Sequence, residues 1–253
     1  MMNPLISLII PIHNEAGIAK KIVGTIYKSL SLSFGKRFEI IFCENGSTDS
    51  TVHILRSFAK KKKYIRVITL DKPNYGGAMK AGFLAARGIF MANASIDWYD
   101  IDHLKRAIPL LKSADIVVGT KANKGFDRRP FFRRLISRGY HILLNIFFGL
   151  RVSDTHSINI FRTKKMQPII RKTVMDGSVF PSEVLIRAQR SHLRIVEKDI
   201  VVTEKRARKK SITTRTFKAI AGLVKLRLIL WRENQKNIFY TISLYLEDLF
   251  RKV

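Results

Sequence analysis

The chain has 253 residues, of which 46% are hydrophobic, a content that suits one sizeable folded core and excludes a disordered chain. The single cysteine, Cys43, excludes an internal disulfide framework and fits a reducing compartment, where we expect it to be a buried structural thiol. Lysine and arginine number 47 against 19 aspartates and glutamates, and the formal net charge of +28 predicts a polyanionic partner, either nucleic acid or an anionic membrane face.

The N-terminal segment, MMNPLISLIIPIHNE, has neither the pattern of a secretory signal nor that of a membrane span. It lacks a basic leading region, and its apolar run is short and interrupted by Pro11. No run in the chain approaches the roughly 18 to 20 apolar residues that a spanning helix requires. We therefore expect a cytoplasmic protein that is at most peripheral on the cytoplasmic face of a membrane.

Short apolar, β-branched runs alternate with segments of helical spacing in the first half of the chain. The runs that predict strands are LISLII, FEIIFC, IRVITL, GIFMANA and DIVVG. The segments that predict helices are Ile18–Leu30, Thr51–Lys60, Gly77–Ala86 and Leu104–Lys112. This alternation predicts an α/β fold with a mostly parallel sheet and flanking helices, in which ligands bind beyond the carboxyl ends of the strands.

After Thr120 the pattern changes to a basic loop and a helix that is rich in arginine at its start. A helix at Pro181–Ser191 and a strand at Arg194–Thr203 are expected to close the domain. The tail then predicts two amphipathic helices, FKAIAGLVKLRLILW and IFYTISLYLEDLF. We divide the chain into a domain over 1–212 and a helical tail over 213–253, whose apolar stripe would lie on a membrane, pack on the domain or form a homo-oligomer.

Polar residues follow the first two predicted strands. Asn14 and Glu15 come directly after the first, where a carboxylate can accept hydrogen bonds from a base or ribose. Alternatively, both residues only begin the next helix, because an acid complements its dipole. Glu44 stands at the open end of the second strand, so we expect its carboxylate to point into the cleft.

The next two loops could contact phosphate or metal. In KPNYGGAMKAG, Gly76 opens a helix whose free N–H groups could receive phosphate, and Lys80 would add a positive charge. In MANASIDWYD, Asp97 could bind a divalent metal. Asp100 and Asp102 could substitute for a second metal-binding acid, but we expect one of them to cap the following helix.

The order of these loops resembles that of the inverting family 2 glycosyltransferases, which have the Rossmann-like GT-A fold and use nucleotide-diphospho sugars. The motifs that carry this resemblance are IIPIHNE, FEIIFCENGSTDST, KPNYGGAMKAGF and ARGIFMANASID. RRLISRGYHILLNIFFGLRVSDTHSINIFR, FPSEVLIRA and EKRARKKSI are similar to segments of polyprenyl-phosphate sugar synthases of the dolichyl-phosphate mannose synthase type. The resemblance extends from about Leu5 to Ile212.

The resemblance implies a role for individual residues on the donor side. Asp97 falls on the second acid of the Asp-x-Asp motif and Ser95 replaces the first, which implies a weakly bound Mg²⁺ or Mn²⁺ on Asp97. Asn45 stands where the family usually has an aspartate. The residues expected to bind the nucleotide sugar are Pro11, Asn14, Glu15, Glu44, Asn45, Gly76, Lys80 and Ser95.

On the acceptor side, the resemblance implies four contacts to a lipid phosphate: Arg134, Arg138, Arg206 and Ser211. An anionic phosphate needs no general base, whereas a sugar hydroxyl must lose its proton to a carboxylate. The residues expected to take part in catalysis are Asp97, Asp154, Arg138 and Glu183, with Asp154 and Glu183 as the candidate bases. Glu183 could equally be only an acid in the first turn of its helix.

The leading hypothesis is therefore an inverting hexosyltransferase that moves a sugar from a GDP- or UDP-linked donor to a polyprenyl phosphate or related membrane lipid. Transfer to a saccharide hydroxyl during surface-polysaccharide assembly is the alternative, and a catalytically silent nucleotide-sugar-binding homologue is the third. The basic surface would face an anionic membrane. Nucleic acid is disfavoured as a partner, since the chain lacks interleaved aromatic residues and a recognition helix.

Overall fold

One seven-stranded sheet forms the centre of the computed structural model, which describes residues 3–120, 131–200 and 217–235, except the side chains of residues 131–134. The strands are β1 Ile6–Ile12, β2 Phe38–Asn45, β3 Ile65–Leu70, β4 Phe90–Asn93, β5 Ile116–Thr120, β6 Asn159–Arg162 and β7 Ile195–Asp199. The α-helices are α1 Ala16–Phe34, α2 Thr51–Lys61, α3 Tyr75–Ala85, α4 Ile101–Ala107, α5 Phe131–Phe148, α6 Thr163–Arg171 and α7 Phe180–Arg190. Short 3₁₀ helices cover Ile108–Lys112 and Gly177–Val179, and a further helix covers residues 217–235.

The strand order is β3-β2-β1-β4-β6-β5-β7, and all pairings are parallel except those of β6, which runs antiparallel to β4 and β5. The predicted α/β class and mostly parallel sheet are confirmed. Neither β6 nor α6 is predicted from the sequence. β6 has only four residues, and α6 contains Pro168, which weakens a helical pattern.

The direction of β6 determines which loops meet. The chain order reverses between β1 and β4, and ligands of open α/β sheets bind in the crevice at such a point. The loops after β1, β2 and β4 all emerge at the carboxyl end of these strands, which is the edge of the sheet that forms the crevice. Because β6 is antiparallel to β4, the segment 151–158 that precedes β6 reaches the same edge.

Alternate side chains of the strands pack on opposite faces of the sheet. Leu8 and Ile40 point into one buried cluster, together with residues of α1, α2 and α4. Ile9 and Cys43 point into the other, together with residues of α3, α6, α7 and the 217–235 helix. Both faces are therefore covered, which explains the nearly continuous apolar runs of β1 and β2.

Cys43 is fully buried beside Gly82, and burial raises the pKa of its thiol to about 12, although the charge of Arg66 opposes this shift. Only the thiolate reacts with alkylating reagents. We expect iodoacetamide at pH 8 to leave the native chain unlabelled and to modify Cys43 once guanidinium unfolds the protein, as measured by mass spectrometry. Stoichiometric labelling of the native chain would contradict this placement.

The helix over residues 217–235 is amphipathic and packs on the domain through one face. Leu223, Leu226 and Leu230 are at most 1% exposed and belong to the same cluster as α7. The second predicted tail helix lies outside the described residues. Among the described helices, none is both long enough and apolar enough to cross a membrane.

Candidate active site

The loops after β1 and β2 are tied together by hydrogen bonds. The backbone N–H of Asn14 donates to Ser47 Oγ (2.9 Å), and Asn14 Oδ1 accepts from the N–H of Thr48 (2.8 Å). Asn14 has φ +52°, a conformation that asparagine tolerates better than most residues. Glu15 begins α1, and its N–H donates to Thr51 Oγ1 (2.9 Å). Half-buried Pro11 precedes this pair of loops within β1.

Glu44 and Asn45 end β2 at the same edge. Glu44 is 2% exposed, and its Oε1 accepts from the N–H of Ser47 (2.5 Å). Asn45 Oδ1 accepts from the N–H of Asn74, which begins the helix after β3. The carbonyl of Asn45 accepts from His13 Nδ1 (2.8 Å), so this nitrogen carries a proton. The sequence motifs did not single out His13.

Gly46 allows the loops after β2 and β3 to approach each other. Its φ is +66°, and a Cβ atom at this position would lie 2.8–2.9 Å from the backbone atoms of Lys72 and Pro73. A side chain would therefore require both backbone strain and displacement of the neighbouring loop. Glycine is needed at this position for the cleft to form.

The first turn of α3 is covered by another part of the chain. Asn74 Oδ1 accepts from the N–H of Gly77 (2.7 Å), which caps the helix. A Cβ atom on Gly76 would lie 2.8 Å from the carbonyl oxygen of Met175, so the backbone of the loop after α6 packs directly on this glycine. This coverage argues against the predicted role of Gly76 in binding the donor.

Lys80 also has partners that the sequence analysis did not predict. Its Nζ donates to the carbonyl oxygens of Arg171 (3.1 Å) and Thr173 (2.6 Å) at the end of α6. A lysine at this position stabilises carbonyls that have no partner within the helix. These contacts favour a structural role for Lys80 and argue against the prediction that it binds donor phosphate.

Ser95 and Asp97 form a tight turn after β4. The backbones of Ser95 and Trp98 exchange hydrogen bonds of 3.0 and 3.2 Å, and the Ser95 hydroxyl donates to Asp97 Oδ1. Asp97 is half-buried, and its Oδ2 has no hydrogen-bond partner within the described part of the chain. Asp100 accepts from the N–H of His103 (2.7 Å) and caps α4, as one of the two sequence-based alternatives predicts.

Asp154 lies in the segment that β6 brings to this edge. Asn93, the last residue of β4, donates through Nδ2 to the carbonyl of Ser157 (2.8 Å) and accepts from the N–H of Asn159 (3.0 Å). Asp154 is 7% exposed, and its Oδ1 accepts from the N–H of His156 (2.9 Å). The loop of Asp97 and the segment of Asp154 therefore emerge from neighbouring strands.

Glu183 is fully buried inside α7. Its carboxylate accepts from the N–H groups of Val174 (3.0 Å) and Met175 (2.7 Å) and from Arg187 Nε (2.6 Å). All of these donors belong to the protein, so the carboxylate holds the loop at Val174 and Met175 against α7. This geometry favours a structural role for Glu183 over the predicted role as a general base.

The predicted acceptor residues are described only in part. Arg138 is exposed on α5 and makes no ion pair with any described residue. Tyr140, on the same helix, shares a hydrogen bond with Ser182 (2.9 Å), which in turn contacts Thr155 (2.9 Å), and this chain fixes α5 beside the Asp154 segment. The side chain of Arg134, and all of Arg206 and Ser211, lie outside the described residues.

Comparison with known families decides what kind of protein this cleft belongs to. A family model described as glycosyl transferase family 2 matches residues 7–170. The chain belongs to this family. It is a glycosyltransferase, as the order of the cleft motifs predicts, and the family match covers β1 to α6.

Individual relatives agree with this assignment. The chain is 25% identical to the dolichyl-phosphate beta-glucosyltransferase of Saccharomyces cerevisiae, over 91% of this chain and 78% of the yeast protein. Identity to the Drosophila melanogaster enzyme of the same name is also 25%, over 79% of this chain and 67% of that enzyme. Both names specify a glucosyltransferase, whereas the motifs resemble mannose synthases.

Among solved structures, the chain has the fold of glucosyl-3-phosphoglycerate synthase from Mycobacterium tuberculosis, solved with Mn²⁺, UDP and glucosyl-3-phosphoglycerate. The TM-score is 0.63 at 18% identity, and the match covers 88% of this chain and 79% of that one. This likeness confirms the predicted GT-A fold of the sheet and its flanking helices.

Proposed function

We propose that this glycosyltransferase moves a sugar from a nucleotide-diphospho sugar to a polyprenyl phosphate, with inversion at the anomeric carbon. The observation that carries the proposal is the convergence of the Asp97 turn and the Asp154 segment beside the carboxyl end of β4. The two glucosyltransferases named above, whose names specify dolichyl phosphate, support the choice of acceptor.

The donor nucleotide would bind across the loops after β1 and β2. Asn14, Glu15, Glu44 and Asn45 are the proposed contacts to base and ribose. Glu44 Oε1 is occupied by the N–H of Ser47, so Oε2 is the atom that would accept a ribose hydroxyl. With the nucleotide bound in this way, the sugar would lie between the nucleotide and the Asp154 segment.

The residues of the Asp97 turn fit a divalent metal that the donor itself helps to hold. No three His, Cys, Asp or Glu side chains in the described ranges are grouped to hold a metal, but Mg²⁺ is often bound by one or two carboxylates with waters and substrate phosphates. Asp97 Oδ2 would supply the carboxylate oxygen, and Ser95 would hold a water. Mg²⁺ or Mn²⁺ bound in this way would stabilise negative charge on the departing nucleotide diphosphate.

The chemistry of the acceptor also favours a phosphate over a sugar hydroxyl. A phosphate oxygen is already anionic and needs no base, whereas a hydroxyl does. With Glu183 committed to backbone N–H groups, Asp154 is the remaining candidate base from the sequence analysis. Arg134, Arg138, Arg206 and Ser211 are the proposed contacts to the acceptor phosphate.

A donor screen tests this proposal. Purified chain is incubated with UDP- or GDP-sugars, Mn²⁺, and either a polyprenyl phosphate or an oligosaccharide, and products are identified by mass spectrometry. We expect a sugar-phosphate lipid to form from one donor class. Product only on the oligosaccharide would favour the alternative acceptor, and nucleotide binding without any product would favour a silent homologue.

We further propose that the outer face of the 217–235 helix attaches the enzyme to an anionic membrane at its cytoplasmic face. The inner face is buried, yet exposed apolar residues form a second stripe on the opposite side, Phe217, Ile220, Val224, Leu228 and Trp231. Exposed cations flank this stripe, Lys218, Lys225, Arg227 and Arg232. An apolar stripe bordered by cations is typical of helices that lie in the interface of an anionic bilayer.

Replacing Leu228, which is 54% exposed, by glutamate should weaken binding to vesicles that contain phosphatidylglycerol by roughly tenfold. Asn234→Glu is the matched control, because it adds the same charge to an exposed position outside the stripe. Vesicle cosedimentation measures both variants. If Leu228→Glu leaves vesicle binding intact but converts an oligomer to monomers in sedimentation velocity, the stripe binds a second copy instead.

A further inference from the structure

Arg187 connects α7 to the 217–235 helix through two carboxylates. Its Nη1 and Nη2 donate to the two oxygens of Glu233 (2.8 and 2.9 Å), and its Nε donates to Glu183 (2.6 Å). Arg187 is 7% exposed. Burial lowers the pKa of Arg187, but its hydrogen bonds to Glu233 and Glu183 outweigh this effect and raise it. The two hydrogen bonds to Glu233 fix the plane of the Arg187 guanidinium, and they therefore fix the position of Glu183 as well.

Glu183 holds the loop that follows α6. It accepts the N–H groups of Val174 and of the buried Met175, which would otherwise lose these hydrogen bonds. The 217–235 helix also touches the next segment directly, because a Cβ atom on Gly222 would lie 2.6 Å from Val179 Cγ2. The 217–235 helix thus helps to fix the position of the loop after α6.

The same loop contacts the donor side of the cleft. Asp176 Oδ1 accepts from Asn74 Nδ2 (2.9 Å), while Asn74 caps α3 through the N–H of Gly77. The backbone N–H of Asn74 in turn donates to Asn45, one of the proposed donor contacts. A continuous set of hydrogen bonds and backbone packing therefore leads from Glu233 to the end of β2.

We propose that Glu233 is a positioning residue for the nucleotide donor, acting through Arg187, Glu183 and the Val174–Asp176 loop on Asn74 and Asn45. The inference rests on the proposed function in one respect, because it takes the edge beside Asn45 as the donor site. It goes beyond that function because the 217–235 helix would raise the affinity for the nucleotide donor. Any ligand that stabilises this helix on the domain then strengthens donor binding, and the reverse holds equally.

The test uses the full chain and Glu233→Gln, which keeps the side-chain shape but removes the charge. Lys61→Gln is the control, since it removes a charge from an exposed residue in the last turn of α2. Titration calorimetry with UDP and with GDP, each with Mn²⁺, should give a dissociation constant roughly three- to tenfold higher in Glu233→Gln. The control should bind as wild type does, and a raised donor KM with little change in kcat should accompany the shift.

Amide hydrogen exchange separates this inference from the proposed function. In Glu233→Gln, exchange should accelerate at Val174 and Met175 and also at Gly77, whose N–H is bonded to Asn74. If wild type binds neither UDP nor GDP, the proposed donor site fails, and exchange at Gly77 still decides whether Glu233 acts on α3. Unchanged exchange at Gly77, or unchanged nucleotide affinity in a variant that binds it, would overturn the inference.

Thermal unfolding distinguishes positioning from a general loss of structure. All measurements are made well below the melting temperature of the least stable variant. If Glu233→Gln does not fold, Glu233→Asp takes its place, because it keeps the charge but is one methylene too short to retain both bonds to Arg187. We expect this shorter side chain to produce a smaller rise in the dissociation constant and the same pattern of faster exchange. Unchanged values of both quantities in Glu233→Asp would also contradict the inference.

Discussion

Replacing Glu183 by alanine is expected to destabilise the fold by about 3–5 kcal/mol. The change removes one partner of a buried ion pair and leaves the N–H groups of Val174 and Met175 without acceptors. Arg187 would keep only Glu233, whose side chain is 43% exposed. Urea titration followed by circular dichroism gives the free energy of unfolding for wild type and variant.

The same experiment decides between a structural and a catalytic role for Glu183. Asp102→Ala is the control, because Asp102 forms an exposed ion pair with Lys105 and its loss should change the free energy of unfolding by no more than about 0.5 kcal/mol. A general base can be removed at little cost in stability. If Glu183→Ala has the same free energy of unfolding as wild type but loses transfer activity, Glu183 acts as a general base, as the sequence predicts.

The parts of the fold that the sequence predicts are those whose pattern is local. β1 and β2 are buried on both faces of the sheet, so their apolar runs are continuous and easily recognised. β6 pairs antiparallel with strands distant in the sequence and has only four residues, so no local pattern marks it. The role proposed for Asp154 therefore comes from the resemblance to a known family and not from periodicity.

The candidate site shows the same division. Asp97 and Glu44 lie where strand ends predict them, because a residue at the end of a parallel strand faces the crevice whatever its neighbours are. The partners of Lys80 and Glu183 could not be predicted in this way, because packing contributes them. Thr173 lies 93 residues from Lys80, and the loop that Glu183 holds is itself irregular. Sequence motifs give the position of a polar side chain along the chain, but not the groups that already occupy it.

Asp97→Asn is expected to lower the rate of sugar transfer by roughly 100- to 1,000-fold, the usual loss when one electrostatic contact to the developing charge is removed. Asparagine keeps the shape of the turn but has no negative charge for a metal. The fold should be unaffected, because Asp97 has no described partner other than Ser95. Transfer to polyprenyl phosphate measures the effect, with Asp100→Asn as the control, since Asp100 caps α4 and is not part of the proposed metal site.

Ser95→Asp restores the second carboxylate of the Asp-x-Asp motif and tests the metal site without relying on activity. Two carboxylates bind a divalent cation more strongly than one, so Mn²⁺ should increase the affinity for nucleotide diphosphate at roughly tenfold lower concentration in this variant. Calorimetry of UDP or GDP binding at a series of Mn²⁺ concentrations measures the shift. In the double variant Ser95→Asp, Asp97→Asn the gain should disappear, because a single carboxylate remains. If Mn²⁺ does not change the nucleotide affinity of wild type, Ser95→Asp, Asp97→Asn or the double variant, cationic side chains balance the charge of the donor, rather than a metal on Asp97.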